Sequence, residues 1–188
     1  MTMTTEQQYF ENAITLESYM AQMESNKEKS YDIYEKFELP EDPEFIGLLK
    51  EKQPHILVIT EDWCGDAMMN NAILRKIAEA AGLKVKAVYR DQNLELMDKY
   101  LTNGGRSIPK YIILSKEGEV LGDWGPRAPE VQEFVTEKRS VLPEKEDPQY
   151  DLHLKTVIGE ISDGFAFNSK FWQTVYEDLR KTFKEVLK

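Results

Sequence analysis

Ile56-Leu57-Val58-Ile59-Thr60-Glu61-Asp62-Trp63-Cys64-Gly65-Asp66-Ala67 is the stretch that decides the fold. Its first five residues are aliphatic or β-branched and show no polar alternation, the pattern of a central strand buried on both faces. Met68 to Ala81 then reads as a helix, with Ile73, Leu74 and Ile77 inward and Gly82 ending it. The single cysteine, Cys64, is thereby set between a buried strand and a helix start. Unpaired N–H groups and the positive end of the helix dipole favour a thiolate there, the form that attacks disulfides. Glu61, Asp62 and Asp66 crowd the thiol and oppose its ionisation. Arg106 is a basic counterweight if a later loop brings it near. The sequence alone leaves the net sign open.

Working outward, Lys84 to Arg90 alternates around Val85, Ala87 and Tyr89, a second strand, and Leu94 to Leu101 is a short helix ended by Asn103-Gly104-Gly105. Ser107-Ile108-Pro109-Lys110 precedes a third strand, where proline is allowed at the start and a cis Ile108–Pro109 bond suits a tight turn. Tyr111–Leu114 and Glu119–Trp124 flank Lys116-Glu117-Gly118, a hairpin composition. Trp124-Gly125-Pro126-Arg127 reads as the tight connection into a closing helix, Pro129 to Arg139. The order is a βαβ unit followed by a hairpin. Tyr9 to Lys52 reads as helical: Leu16, Tyr19, Met20 and Met23 share a face capped by Thr15 and Ser18, and Asp42-Pro43 opens a further helix. After the acidic, proline-flanked stretch Pro143–Pro148, helices return, with a break expected near Ser162-Asp163-Gly164 and an apolar face from Phe165 to Leu179. The expected organisation is a helical extension over 1–52, a core domain over 53–141 and a second helical extension over 142–188.

The 188 residues carry 24 Lys plus Arg against 34 Asp plus Glu, a formal charge of −10. That balance, with a pI near 4.8, argues against a nucleic-acid binder, which needs clustered cations for phosphate contacts. No apolar run approaches the roughly 18 residues of a membrane span, and the amino terminus lacks the basic start of a secretory signal. A cytoplasmic protein with no membrane partner is expected. One cysteine excludes an intramolecular disulfide. His55 and His153 have no partners at metal-ligand spacing, and a hard-cation site needs more convergent oxygens than this turn offers, so no metal is expected. Gly104-Gly105 opens no phosphate-binding helix.

With Trp63-Cys64-Gly65, the Ile108-Pro109 pair and this order of elements, the sequence from about Phe45 to Ser140 resembles the thioredoxin family. The Thr60–Ala67 stretch and Arg90-Asp91-Gln92-Asn93 are similar to a bacterial thioredoxin-like subgroup with added terminal helices. The resemblance implies an α/β thioredoxin-like fold: a mixed central sheet flanked by helices, here with helical N- and C-terminal extensions. It implies a catalytic Cys64 and a substrate site built from Trp63, Gly65, Asp66, Ala67, Ile108 and Pro109, with a cis-proline loop that docks an extended substrate beside the sulfur. Trp124 and Arg127 would lie near that face. The departures are specific. Ala67 stands where dithiol members carry the resolving cysteine, Asp66 where they carry proline, and Val58 where thioredoxins bury a carboxylate. The expected activity is therefore monothiol thiol–disulfide exchange. Cys64 would attack a protein or low-molecular-weight disulfide, and an external thiol would release the product, with no cofactor. A redox-silent binding module on the same fold is the alternative. An accessible, acidified sulfur favours exchange; a buried, inert one favours the module.

Overall fold

The computed structural model describes residues 3–188. In chain order the elements are α1 (Thr5–Asn12), β1 (Ile14–Thr15), α2 (Leu16–Gln22), α3 (Lys27–Lys36), α4 (Pro43–Lys52), β2 (His55–Thr60), α5 (Gly65–Ala81) and β3 (Lys84–Tyr89). A 3₁₀ turn (Arg90–Gln92) leads into α6 (Leu94–Met97), β4 (Lys110–Leu114), β5 (Val120–Trp124), α7 (Pro129–Arg139), α8 (Tyr150–Phe167) and α9 (Ser169–Val186).

The five strands lie in the order β1-β3-β2-β4-β5. β2 is central, parallel to β3 and antiparallel to β4, as its uninterrupted apolar run requires. Period-two alternation sends its side chains into two separate cores. Ile56 and Val58 join the larger one, with Met69, Ile73 and Ile77 of α5, while Leu57 and Ile59 join the smaller one, with Phe10, Leu96 and Met97. β4 divides the same way: Tyr111 and Ile113 face the larger core, Ile112 and Leu114 the smaller.

The terminal helices complete both layers. Phe45 and Leu49 of α4, Phe165 of α8, and Val175, Tyr176, Leu179 and Phe183 of α9 are all buried in the larger core. Asp42 ties two of these helices together. It caps α4 by accepting from the Phe45 N–H at 3.2 Å, and it also accepts from Tyr176 Oη at 3.3 Å and from Arg180. Burial pushes its carboxyl upward, but these donors outweigh that and hold it below the usual carboxylate range.

Several elements differ from the sequence reading. α1 begins at Thr5, ahead of the expected helical start at Tyr9, with Thr4 Oγ1 accepting from the Gln7 N–H. It seals the smaller core through Phe10, whose ring stacks 4.6 Å from His55. The two-residue β1, antiparallel to β3, falls inside a stretch read as wholly helical; two residues are too few to show a period. α5 starts at Gly65, three residues before the apolar periodicity does, and α6 is a turn shorter than expected. The break expected at Ser162-Asp163-Gly164 is absent: α8 runs on to Phe167, and the chain turns at Asn168, which caps α9 by accepting from the Lys170 N–H at 3.1 Å. Gly164 serves packing instead, since a Cβ there would stand 2.8 Å from Phe134 Cζ. Among the described residues, no helix is long and apolar enough to cross a membrane.

Candidate functional site

The turn carrying Cys64 is fixed from beneath by a buried polar chain. Tyr111 Oη donates to Asn71 Oδ1 at 2.7 Å, Asn71 Nδ2 donates to Thr60 Oγ1 at 3.1 Å, and Tyr19 Oη lies 3.2 Å from the same hydroxyl. These bonds join the end of β2 to α5 and α2, so the four residues between strand and helix have little freedom. Two acidic residues of the turn point elsewhere. Glu61 accepts from the Asp91 N–H at 3.0 Å, and Asp62 accepts from the N–H groups of Glu24 and Ser25 at 2.8 and 3.2 Å. The expected crowding of the thiol by three carboxylates therefore reduces to Asp66.

Cys64 is the N-cap residue of α5 and is 7% exposed. Its Sγ donates to the Ile108 carbonyl oxygen at 3.4 Å. Burial pushes the thiol up to about 11, and the Asp66 charge adds to the rise; the backbone N–H groups of Ala67 and Asp66 and the Arg127 guanidinium act the other way without prevailing. The sign that the sequence leaves open is upward: desolvation outweighs the helix terminus.

Arg127, not Arg106, is the guanidinium at the turn. It grips Asp66 in a bidentate pair at 2.7 and 2.9 Å, the planar fork geometry suited to a carboxylate. Asp66 is itself buried, and desolvation raises its carboxyl despite the attraction of Arg127. Arg106 turns away to a bidentate pair with Asp98 at 2.8 and 3.1 Å.

Ile108–Pro109 is a cis peptide, and so is Gly125–Pro126, which composition did not single out. The two loops touch. At Gly125, φ is +123° and a Cβ would lie 2.2 Å from the Pro109 carbonyl oxygen, so only glycine fits. Buried Lys110 clamps the same junction by donating to the Gly125 carbonyl at 3.0 Å.

Above these loops lies an open groove of about 840 Å³. Of the residues assigned from sequence, Trp63, Cys64, Gly65, Asp66 and Ile108 line it; Ala67 and Pro109 do not. Ala67 is buried in the smaller core beside Leu57 and Ile59, and Pro109 is buried behind Ile108. Trp63 is 53% exposed, with the Arg90 guanidinium 5.0 Å from its ring centroid. Trp124 is not in the groove: it stacks on Tyr111 and donates from Nε1 to Asp178 at 2.7 Å. The opposite wall was missed altogether. It is one face of α8, including Lys155, Ile158, Gly159 and Ser162. Their i, i+3, i+4, i+7 spacing was readable as a face, but its direction depends on how α8 docks against α5 and α7.

Comparison with known proteins agrees with this architecture. A family model described as Thioredoxin matches residues 13–139. Among solved structures, a 1.5 Å crystal structure of a protein of unknown function, PA1234 from Pseudomonas aeruginosa, superposes with a TM-score of 0.69 at 15% identity, covering 97% of this chain and 99% of that one. An HIV epitope-scaffold superposes with a TM-score of 0.66 at 13% identity, over 97% and 99% of the respective chains. Likeness at such identities speaks for the shared fold alone. No curated protein matches the chain. The matched segment takes in the whole sheet, the Cys64 turn and both cis-proline loops, and on that ground the chain belongs to the thioredoxin family.

Proposed function

We propose that this thioredoxin-family domain is a redox-silent binding module of the bacterial cytoplasm. Its groove, between the Trp63–Asp66 turn, the Ser107–Ile108 loop and α8, receives an extended segment of a partner protein. Cys64 contributes a neutral thiol to the groove floor. The observation that carries this reading is the state of that sulfur: buried, donating to the Ile108 carbonyl and held near pKa 11. At neutral pH roughly one such thiol in 10⁴ is ionised, and the thiolate is the attacking species. Exposed Trp63 offers a large, rigid contact of the kind that anchors interfaces. The missing partners of a dithiol cycle fit the same picture: Ala67 supplies no resolving sulfur, and fully buried Val58 no proton acceptor.

Monothiol exchange is the second reading, favoured by the backbone N–H groups of Asp66 and Ala67 that act on the sulfur at the helix start. In it, the Cys64 thiolate would attack a disulfide R–S–S–R′, form Cys64–S–S–R and expel R′–S⁻. A second thiol would then regenerate Cys64 and release R–S–S–R″. Incubation with glutathione disulfide, followed by intact mass measurement, separates the two. The binding module keeps its unmodified mass over hours at pH 7. Rapid, stoichiometric glutathionylation at Cys64, reversed by free thiol, would establish exchange instead.

A further inference from the structure

The groove has a charge that the rest of the protein does not. The whole chain has 34 acidic against 24 basic residues, yet the groove is lined by Lys29, Arg90, Arg106, Arg127, Arg139 and Lys155 against only Asp66 and Asp163. Both of those carboxylates are already engaged, Asp66 by Arg127 at 2.7 Å and Asp163 by Lys29 at 3.4 Å. Arg90 and Arg106 pair with Asp91 and Asp98, which lie outside the lining. Arg139 and Lys155 take part in no ion pair among the described residues. They come from different helices, α7 and α8, and the field of Arg139 reaches Asp66 on the floor.

Apolar surface lies between the charges. Trp63 on one wall and Ile158 on the other are 53% and 48% exposed. Gly159 stands beside Ile158 in the middle of α8, where a glycine costs a helix about 0.5–1 kcal/mol relative to alanine. No neighbour demands it, since a Cβ there would meet nothing within 4 Å. Its effect is to leave the groove open next to the apolar wall.

Resting on the binding-module reading, we propose that the groove selects an acidic, extended segment of a partner protein, with carboxylates reaching Arg139 and Lys155 and apolar side chains between Trp63 and Ile158. The α8 wall lies wholly outside the residues that the family model matches, 13–139, so the preference joins Trp63 and Arg139 of the matched segment to Lys155 and Ile158 of the C-terminal extension. Cations spread over several elements suit a ligand whose charges are spaced along a chain better than a single small anion. A nucleic acid is disfavoured because the net charge of −10 repels a polyphosphate at long range.

The test is fluorescence anisotropy with the full chain and a labelled peptide alternating Glu with Leu and Ser. Counterparts carry Gln or Lys in place of Glu, and a labelled oligothymidylate of similar length serves as a polyanion control. The Glu peptide is expected to bind about tenfold or more tightly than the Gln peptide at low salt, and to lose most of that margin near 0.5 M salt, where the screening length shrinks to a few ångströms. Arg139→Glu with Lys155→Glu, both at exposed positions, removes the margin without unfolding the chain. Gly159→Leu fits the open space and weakens Glu and Gln peptides alike. Equal binding of the Glu, Gln and Lys peptides overturns the acidic preference and leaves the binding module standing. Oligothymidylate binding as tightly as the Glu peptide overturns the preference in favour of a nucleic acid. Absence of binding to any peptide overturns both readings.

Discussion

Disulfide reactivity of Cys64 gives the sharpest check on the site. Burial raises Cys64 from 9.0 to about 11, so at pH 7 it carries about 100-fold less thiolate than a free thiol. The more basic thiolate is intrinsically the better nucleophile. With a Brønsted slope of about 0.4–0.5, that rise returns roughly sixfold to tenfold. Cys64 should therefore react about tenfold more slowly than a free thiol, and slower still because only 7% of the residue is exposed. The assay is the rate of thiopyridone release from dipyridyl disulfide, a neutral reagent insensitive to the charged groove, measured from pH 6 to 10. Asp66→Asn removes the like charge beside the sulfur and leaves Arg127 facing it unpaired, so both changes lower the thiol pKa. For each unit lowered, thiolate rises tenfold and nucleophilicity falls about threefold, a net gain of about threefold at pH 7. Native reactivity equal to the free thiol, or an Asp66→Asn variant slower than the native chain, would refute the account of desolvation and like charge acting together.

The same shift links to stability. Folding keeps the proton on Cys64 where an unfolded thiol gives it up, so its contribution is intact below about pH 9 and is lost as pH rises toward about 11. Urea unfolding should show the native chain losing about 3 kcal/mol more than Cys64→Ala across that window, and equal losses would contradict the raised pKa. Gly125→Ala places a Cβ 2.2 Å from the Pro109 carbonyl at a φ of +123°, and should cost about 3 kcal/mol or more by thermal unfolding; a change under 1 kcal/mol would mean the two loops separate easily. Removal of residues 143–188 strips Phe165, Trp172, Val175, Tyr176, Leu179 and Phe183 from the larger core. The shortened chain should lose its cooperative transition and near-ultraviolet signal, and a native-like melt would show that 53–141 folds alone.

The sheet was legible because its signals are local. The Ile56–Thr60 run, the Lys116-Glu117-Gly118 turn and the Thr15 and Asp42 caps each act within a few residues. What escaped the sequence was set at long range. α1 offers little periodicity beyond Phe10, and its place is fixed by Thr4 Oγ1 donating to the Gly118 carbonyl at 2.7 Å, far along the chain. Gly164 carried a turn signal, but Phe134 had claimed the space. At the site, Trp63, Cys64, Gly65, Asp66 and Ile108 line one groove, while Ala67 and Pro109 do not. Its second wall, and the exchange of Arg106 for Arg127 as the cation acting on the thiol, depended on docking angles that no spacing encodes. The sign of the Cys64 shift likewise followed from burial, which sequence does not measure.

Cys64 occupies the N-cap of α5 without acting as its side-chain acceptor; its sulfur gives its hydrogen to Ile108 instead. That alters the meaning of the commonest substitution made at such a position. Serine is a strong N-cap residue, worth about 0.5–2 kcal/mol over alanine, and its hydroxyl oxygen would accept from the same Asp66 and Ala67 N–H groups that now act on the sulfur. Cys64→Ser is thus a gain of helix stability as well as a loss of thiol. Alanine removes the sulfur and adds no acceptor, so the pair Cys64→Ala and Cys64→Ser reads separately what the thiol does and what the cap lacks.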